Sequence, residues 1–125
     1  MMQGIVTADR EAVIRLQILD TAGKPTDIDV VMDTGFNGYM TLPLTTIHQH
    51  GLTLDGTRAV ILGDGTQTML DIYRGTLLWM GQRYTVQALA AEGGALIGMA
   101  LLYGCDVTLQ VLDGGLVTVT RIPEE

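Results

Sequence analysis

Glycine punctuates this chain at short, nearly even intervals, and that cadence restricts the fold more than any other feature. Sixteen glycines, against three prolines, stand between short apolar runs. Such spacing favours many short strands joined by tight turns over a few long helices.

The runs bear this out one by one. Residues 13–19 (VIRLQIL) alternate apolar and polar, as a half-buried strand does. Residues 27–32 are denser in β-branched side chains and lead straight into Asp33, Thr34 and Gly35, with a hairpin connection at 21–25. Residues 39–42 form a short strand candidate, and Pro43 and Gly51 bracket a two-turn helix. Segments 58–62 and 66–79 flank Gly63, Asp64 and Gly65, where the Asp-Gly pair predicts a type I′ hairpin with positive φ at both central residues. A strand over 83–90 follows the Met80-Gly81-Gln82 turn. After the loop Glu92-Gly93-Gly94, residues 99–103 suit a short helix. Strands over 107–112 and 116–122, joined by Asp113-Gly114-Gly115, give a second hairpin. The expected class is mostly β with one or two short helices.

With 125 residues, 47% of them hydrophobic and 17% charged, the chain suits one domain, 1–125, with a core that needs no staples. Seven basic and fourteen acidic side chains leave a net charge of −7. Phosphate neutralisation requires clustered Lys and Arg, so neither nucleic acid nor an anionic membrane surface is an expected partner. Cys105 is the only cysteine, which excludes an intrachain disulfide. No basic and apolar leader opens the sequence, and no apolar stretch approaches the roughly 20 residues that span a bilayer, so the expected location is cytoplasmic.

Asp33 is the residue placed best for chemistry. It ends a predicted buried strand that would fix its direction. Gly35 would let a backbone approach without a Cβ in the way, and the Thr34 hydroxyl would lock the turn from its far side. A strand-ending Asp-Thr-Gly turn serves structure as readily as catalysis, so its surroundings decide its meaning.

Those surroundings, VVMDTGFNGYMTLP, resemble the active-site segment of retropepsin-like aspartic proteases, particularly the small single-domain prokaryotic type. The later run ALIGMALL resembles the second signature of that family, two bulky apolar residues and a glycine entering a Leu-rich helix. Between the two, the Gly63–Gly65 hairpin occupies the place of the family's flap, and the likeness extends from about Val13 to Gln110. The resemblance implies a closed or partly open β-barrel acting as a homodimer. Asp33 would be the catalytic acid/base, Thr34 would hydrogen-bond across the two-fold axis, and Gly35 would line the substrate backbone. Phe36, Asn37 and Ile97 would border the substrate, and Gly63, Asp64 and Gly65 would form the flap tip. Aspartic proteases are the reference case of two carboxylates sharing one proton, one acting as acid while the other acts as base. With a single Asp-Thr-Gly, two chains must meet to make one site. The implied activity is hydrolysis of peptide or protein substrates with no cofactor and no metal. The alternative is a non-catalytic dimeric module that keeps the fold and binds a peptide or protein.

Some positions depart from the family pattern. Phe36 stands where a hydroxyl in pepsin-like members would hydrogen-bond the catalytic carboxylate. Asn37 and Met99 replace the acid and the arginine that brace viral dimers, so the terminal strands, 107–122, are expected to help hold the dimer. Asp64 is unusual at a flap tip. His48 and His50 are expected on the surface, Cys105 as a buried small hydrophobe, Asp106 and Asp113 in solvent, and Tyr73 and Trp79 in core or interface packing.

Overall fold

The structure, a computed structural model, describes residues 1–123. Strands β1 (Met2–Val6), β2 (Ala12–Leu19), β3 (Pro25–Met32) and β4 (Met40–Leu42) precede helix α1 (Leu44–His50). Then come β5 (Thr53–Ile61), β6 (Gln67–Trp79), β7 (Gln82–Ala90) and β8 (Leu96–Ile97), followed by helix α2 (Met99–Leu102), β9 (Cys105–Leu109) and β10 (Leu116–Arg121). The strands join in one ten-stranded sheet, ordered β5-β6-β7-β4-β8-β3-β2-β1-β10-β9. A further pairing of β2 with β6, Ile18 opposite Leu77, links the two ends of the run from β6 to β2.

Period-two patterning explains where the core lies. In β2, Ile14, Leu16 and Ile18 are buried while Arg15 and Gln17 face water. Val117 and Val119 of β10 repeat the pattern. These side chains meet Val30, Met40, Leu42, Ile47, Leu77, Trp79 and Ile97 in one apolar cluster. Each such side chain contributes on the order of 1.5–3 kcal/mol through burial. Tyr73 and Trp79 belong to this core, as their sequence context indicated.

Helix α1 begins after Pro43, whose extended φ and ψ make it the N-cap, and it stops at Gly51 in the left-handed conformation with φ 68°. Its last residue, His50, is buried at 7% exposure, which corrects the expected surface position; His48 is exposed and meets the Tyr73 ring edge-on at 6.4 Å. The helix turns its Ile47 face inward, and His50, one short turn later, follows it toward the body.

Three differences from the sequence reading stand out. β1 escaped it altogether, because Met2–Val6 shows only weak alternation, yet it pairs with both β2 and β10. β5 starts five residues earlier than expected, at Thr53, and passes a register shift between Leu54 and Gly56. β9 ends at Leu109 rather than at 112, since Gln110 turns back to hydrogen-bond Leu116.

The Gly63–Gly65 hairpin forms, but not as a type I′ turn. Among these residues Asp64 keeps negative φ, while Gly65 takes φ 84° and donates its N–H to the Leu62 carbonyl at 2.9 Å. That is a three-residue connection with glycine in the left-handed position. Asp64 stays on the common side of φ because its Oδ1 accepts both the N–H and the hydroxyl of Thr66, at 2.9 and 2.6 Å. Positive φ at both central residues occurs instead at Met80 and Gly81, between Trp79 and its partner Gln82.

Candidate active site

Asp33 follows the last residue of β3, and the loop it opens returns as β4. Strand β8 enters between those two arms. It runs parallel to β3, with Met32 opposite Ile97, and antiparallel to β4, with Met40 opposite Ile97. The loop is therefore anchored by a strand remote in sequence: the Asp33 N–H donates to the Ile97 carbonyl at 2.9 Å. Gly98 donates to Tyr39, Met99 to Phe36 and Ala100 to Gly38, so the start of α2 stitches the loop from below.

Glycine is required at this crossing. A Cβ on Gly98 would lie 2.5 Å from the carbonyl oxygens of both Gly38 and Phe36. The Phe36 ring packs over the same spot and also covers Gly38, where a Cβ would stand 2.5 Å from its Cζ. Phe36 thus supplies packing to the loop floor rather than a hydroxyl to the carboxylate.

Within the loop, Asp33 Oδ1 accepts the Gly35 N–H at 2.9 Å, and the Phe36 N–H donates to the Asp33 carbonyl at 3.2 Å. This is an aspartate turn that holds the carboxylate at the loop's surface. Thr34 is exposed, and its hydroxyl has no hydrogen bond among the described residues. The turn is locked by Asp33 itself, a correction to the role first given to Thr34. Asp33 and Phe36 are half-buried, while Gly35 and Asn37 are exposed beside them. The Ile97 side chain, expected at the substrate, lies wholly in the core at 0% exposure; the residue serves the site through its carbonyl.

Gly63, Asp64 and Gly65 form the exposed tip of the long β5–β6 hairpin, apart in sequence from the Asp33 loop. Exposed Ile61, Leu62 and Met69 flank that tip. The Thr66 hydroxyl, then its N–H, hold the Asp64 carboxyl below the usual carboxylate range. Elsewhere, burial pushes the half-buried Cys105 thiol up, against weaker opposing effects of Arg121 and Trp79. Among the described residues, no three His, Cys, Asp or Glu side chains gather as a metal-binding group. Asp106 and Asp113 are exposed. No helix among these residues is long and apolar enough to cross a membrane.

No family model and no curated protein matches the chain. Among solved structures, the solution structure of simian foamy virus (mac) protease is similar, with a TM-score of 0.50 and 16% identity, over 70% of this chain and 90% of that one. The fold is retropepsin-like. At that identity the likeness speaks to the fold, and it agrees with the mostly β architecture and the two short helices.

Proposed function

We propose that the chain is an aspartic endopeptidase subunit of the small single-domain type, whose two copies bring their Asp33 carboxylates together. The observation that carries this reading is the loop geometry. A half-buried aspartate stands at the end of a strand, its carboxylate accepting the Gly35 N–H and its backbone N–H donating to the Ile97 carbonyl, with exposed Thr34 and Gly35 beside it. One chain supplies one such acid, and water activation needs a second of split ionisation, so a two-fold dimer completes the machinery.

In that dimer one carboxylate takes the proton of a water as it attacks the peptide carbonyl. The other, protonated, hydrogen-bonds the carbonyl oxygen, and a proton is then delivered to the departing nitrogen. The β5–β6 hairpin covers an extended peptide, with Gly63, Asp64 and Gly65 at its tip. Phe36 and Asn37 border the peptide. No cofactor or metal enters the reaction, and a reducing, cytoplasmic setting suits the single free thiol.

One observation favours the rival reading of a peptide-binding module without turnover. The only hydrogen bond to the Asp33 carboxylate among the described residues comes from Gly35, and Phe36 brings no hydroxyl to it. Wild type and Asp33→Asn are compared on a peptide library across pH 3–7, with pepstatin as inhibitor. Cleavage by wild type that is lost in the variant supports the protease. Cleavage that survives the substitution overturns it, and binding without cleavage by wild type selects the module.

A further inference from the structure

A cavity of about 820 Å³ draws none of its walls from the Asp33 loop or the β5–β6 tip. It opens where the β6–β7 turn faces the end of β10, among Trp79, Tyr84, Tyr103, Arg121 and Ile122, with Cys105 on its wall. A volume of this size accommodates a small organic molecule, and ligand clefts combine apolar walls with a few polar groups in just this way.

Its cation decides the chemistry. The Arg121 guanidinium donates to the Trp79 carbonyl at 3.3 Å and lies 6.0 Å from the centre of the Tyr84 ring. The ion pairs among the described residues are Arg15 with Asp29 and Arg74 with Asp55, so Arg121 has no carboxylate partner there. In a chain of fourteen acids and seven bases, a cation beside the Tyr84 ring without such a partner is a localised attraction for an anion. Guanidinium is weakly hydrated, stacks on aromatic faces and presents paired N–H groups to planar acids. Tyr103, 90% exposed on the rim, leaves a second aromatic face open to a guest.

We propose that this cleft binds an anionic aromatic small molecule, its acid group on Arg121 and its ring system between Tyr84 and Tyr103. The site takes no residue from the Asp33 loop, so its occupancy is read separately from peptide hydrolysis.

Trp79 is the only tryptophan, so its emission reports occupancy directly. The 125-residue chain is titrated with anilinonaphthalene sulfonate and with its uncharged relative phenylnaphthylamine. The expected result is one sulfonate probe per chain with quenching of Trp79. Arg121→Gln should weaken the sulfonate about tenfold, the scale of a hydrogen bond to a charged group, and leave phenylnaphthylamine unchanged. Tyr103→Ala, at an exposed rim position, should weaken both probes. Sulfonate affinity unchanged in Arg121→Gln, or probe binding that leaves Trp79 emission unaltered, would overturn the assignment. So would a chain shortened to Pro123 that binds the sulfonate far more tightly than the full chain, because the two terminal glutamates would then be the occupant.

Discussion

The aromatic ring of Phe36 and the α-carbon of Gly98 are in such close contact that a Cβ on Gly98 would lie 2.5 Å from the ring's Cδ2. The contact joins the Asp33 loop to the first residue before α2, and two backbone hydrogen bonds, Met99 to Phe36 and Ala100 to Gly38, run beside it. Gly98→Ala should therefore cost about 1–3 kcal/mol, as overpacking of a closed contact does. Urea denaturation measures the loss. Peptide hydrolysis should fall further than stability alone accounts for, because the backbone that carries Asp33 has to move.

Asp33→Asn keeps an oxygen able to accept the Gly35 N–H, so its stability should stay within about 0.5 kcal/mol of wild type. Its effect on activity should be dominant. Mixing and re-equilibrating equal amounts of wild type and variant should leave about a quarter of the dimers with two carboxylates, if subunits pair at random in a two-fold assembly. Activity that instead falls only in proportion to the wild-type fraction would mean that each chain works alone.

In the proposed dimer each copy of the chain carries a net charge of −7, so association brings like charges together. Raising the salt to physiological ionic strength, where the Debye length is about 8 Å, should tighten the dimer. Sedimentation equilibrium at low and physiological salt checks the direction.

The Asp64 carboxyl, held below the usual range first by the Thr66 hydroxyl, gives a pH dependence of known sign. A depressed folded-state pKa contributes stability that is complete above the unfolded value and disappears as pH falls through the folded one. The turn at the β5–β6 tip should thus loosen only at strongly acidic pH, below the usual aspartate range. A carboxyl NMR titration of Asp64, repeated in Thr66→Val, should show the midpoint returning toward that of an ordinary aspartate.

Arg10 holds φ 66° in the turn between β1 and β2, where its N–H donates to the Thr7 carbonyl at 3.0 Å. Its side chain is exposed and in no ion pair among the described residues. A left-handed conformation disfavours any residue with a Cβ, so Arg10→Gly should raise stability by about 1 kcal/mol. A shift of the urea midpoint to higher concentration, with an unchanged slope, is the expected result.

Much of this was legible in local pattern. The alternation of Ile14, Leu16 and Ile18, the Pro43 and Gly51 brackets of α1, and the turn residues at 63–65 all act through neighbours in sequence. Less legible were features set by distant partners. β1 earns its place from β2 and β10 on either side rather than from its own weak alternation. His50 is buried because α1 is docked with its Ile47 face inward. The choice between Asp64 and Met80 for positive φ depended on a side chain, since Thr66 bonds Asp64 and favours the three-residue form of the turn.

By itself, then, the order of residues determined a strand-rich chain with a lone Asp-Thr-Gly at a strand end and a glycine ahead of a short Leu-rich helix. Hydrophobic period and turn chemistry are local properties, and they are written directly in the side chains. Only the tertiary structure decided that β8 would slip between the two arms of the Asp33 loop, sending Ile97 into the core and its carbonyl to Asp33. It also decided that Arg121 would meet Trp79 and Tyr84 around an open cleft. Those contacts join residues far apart along the chain, and their formation depends on distant strands packing around one core.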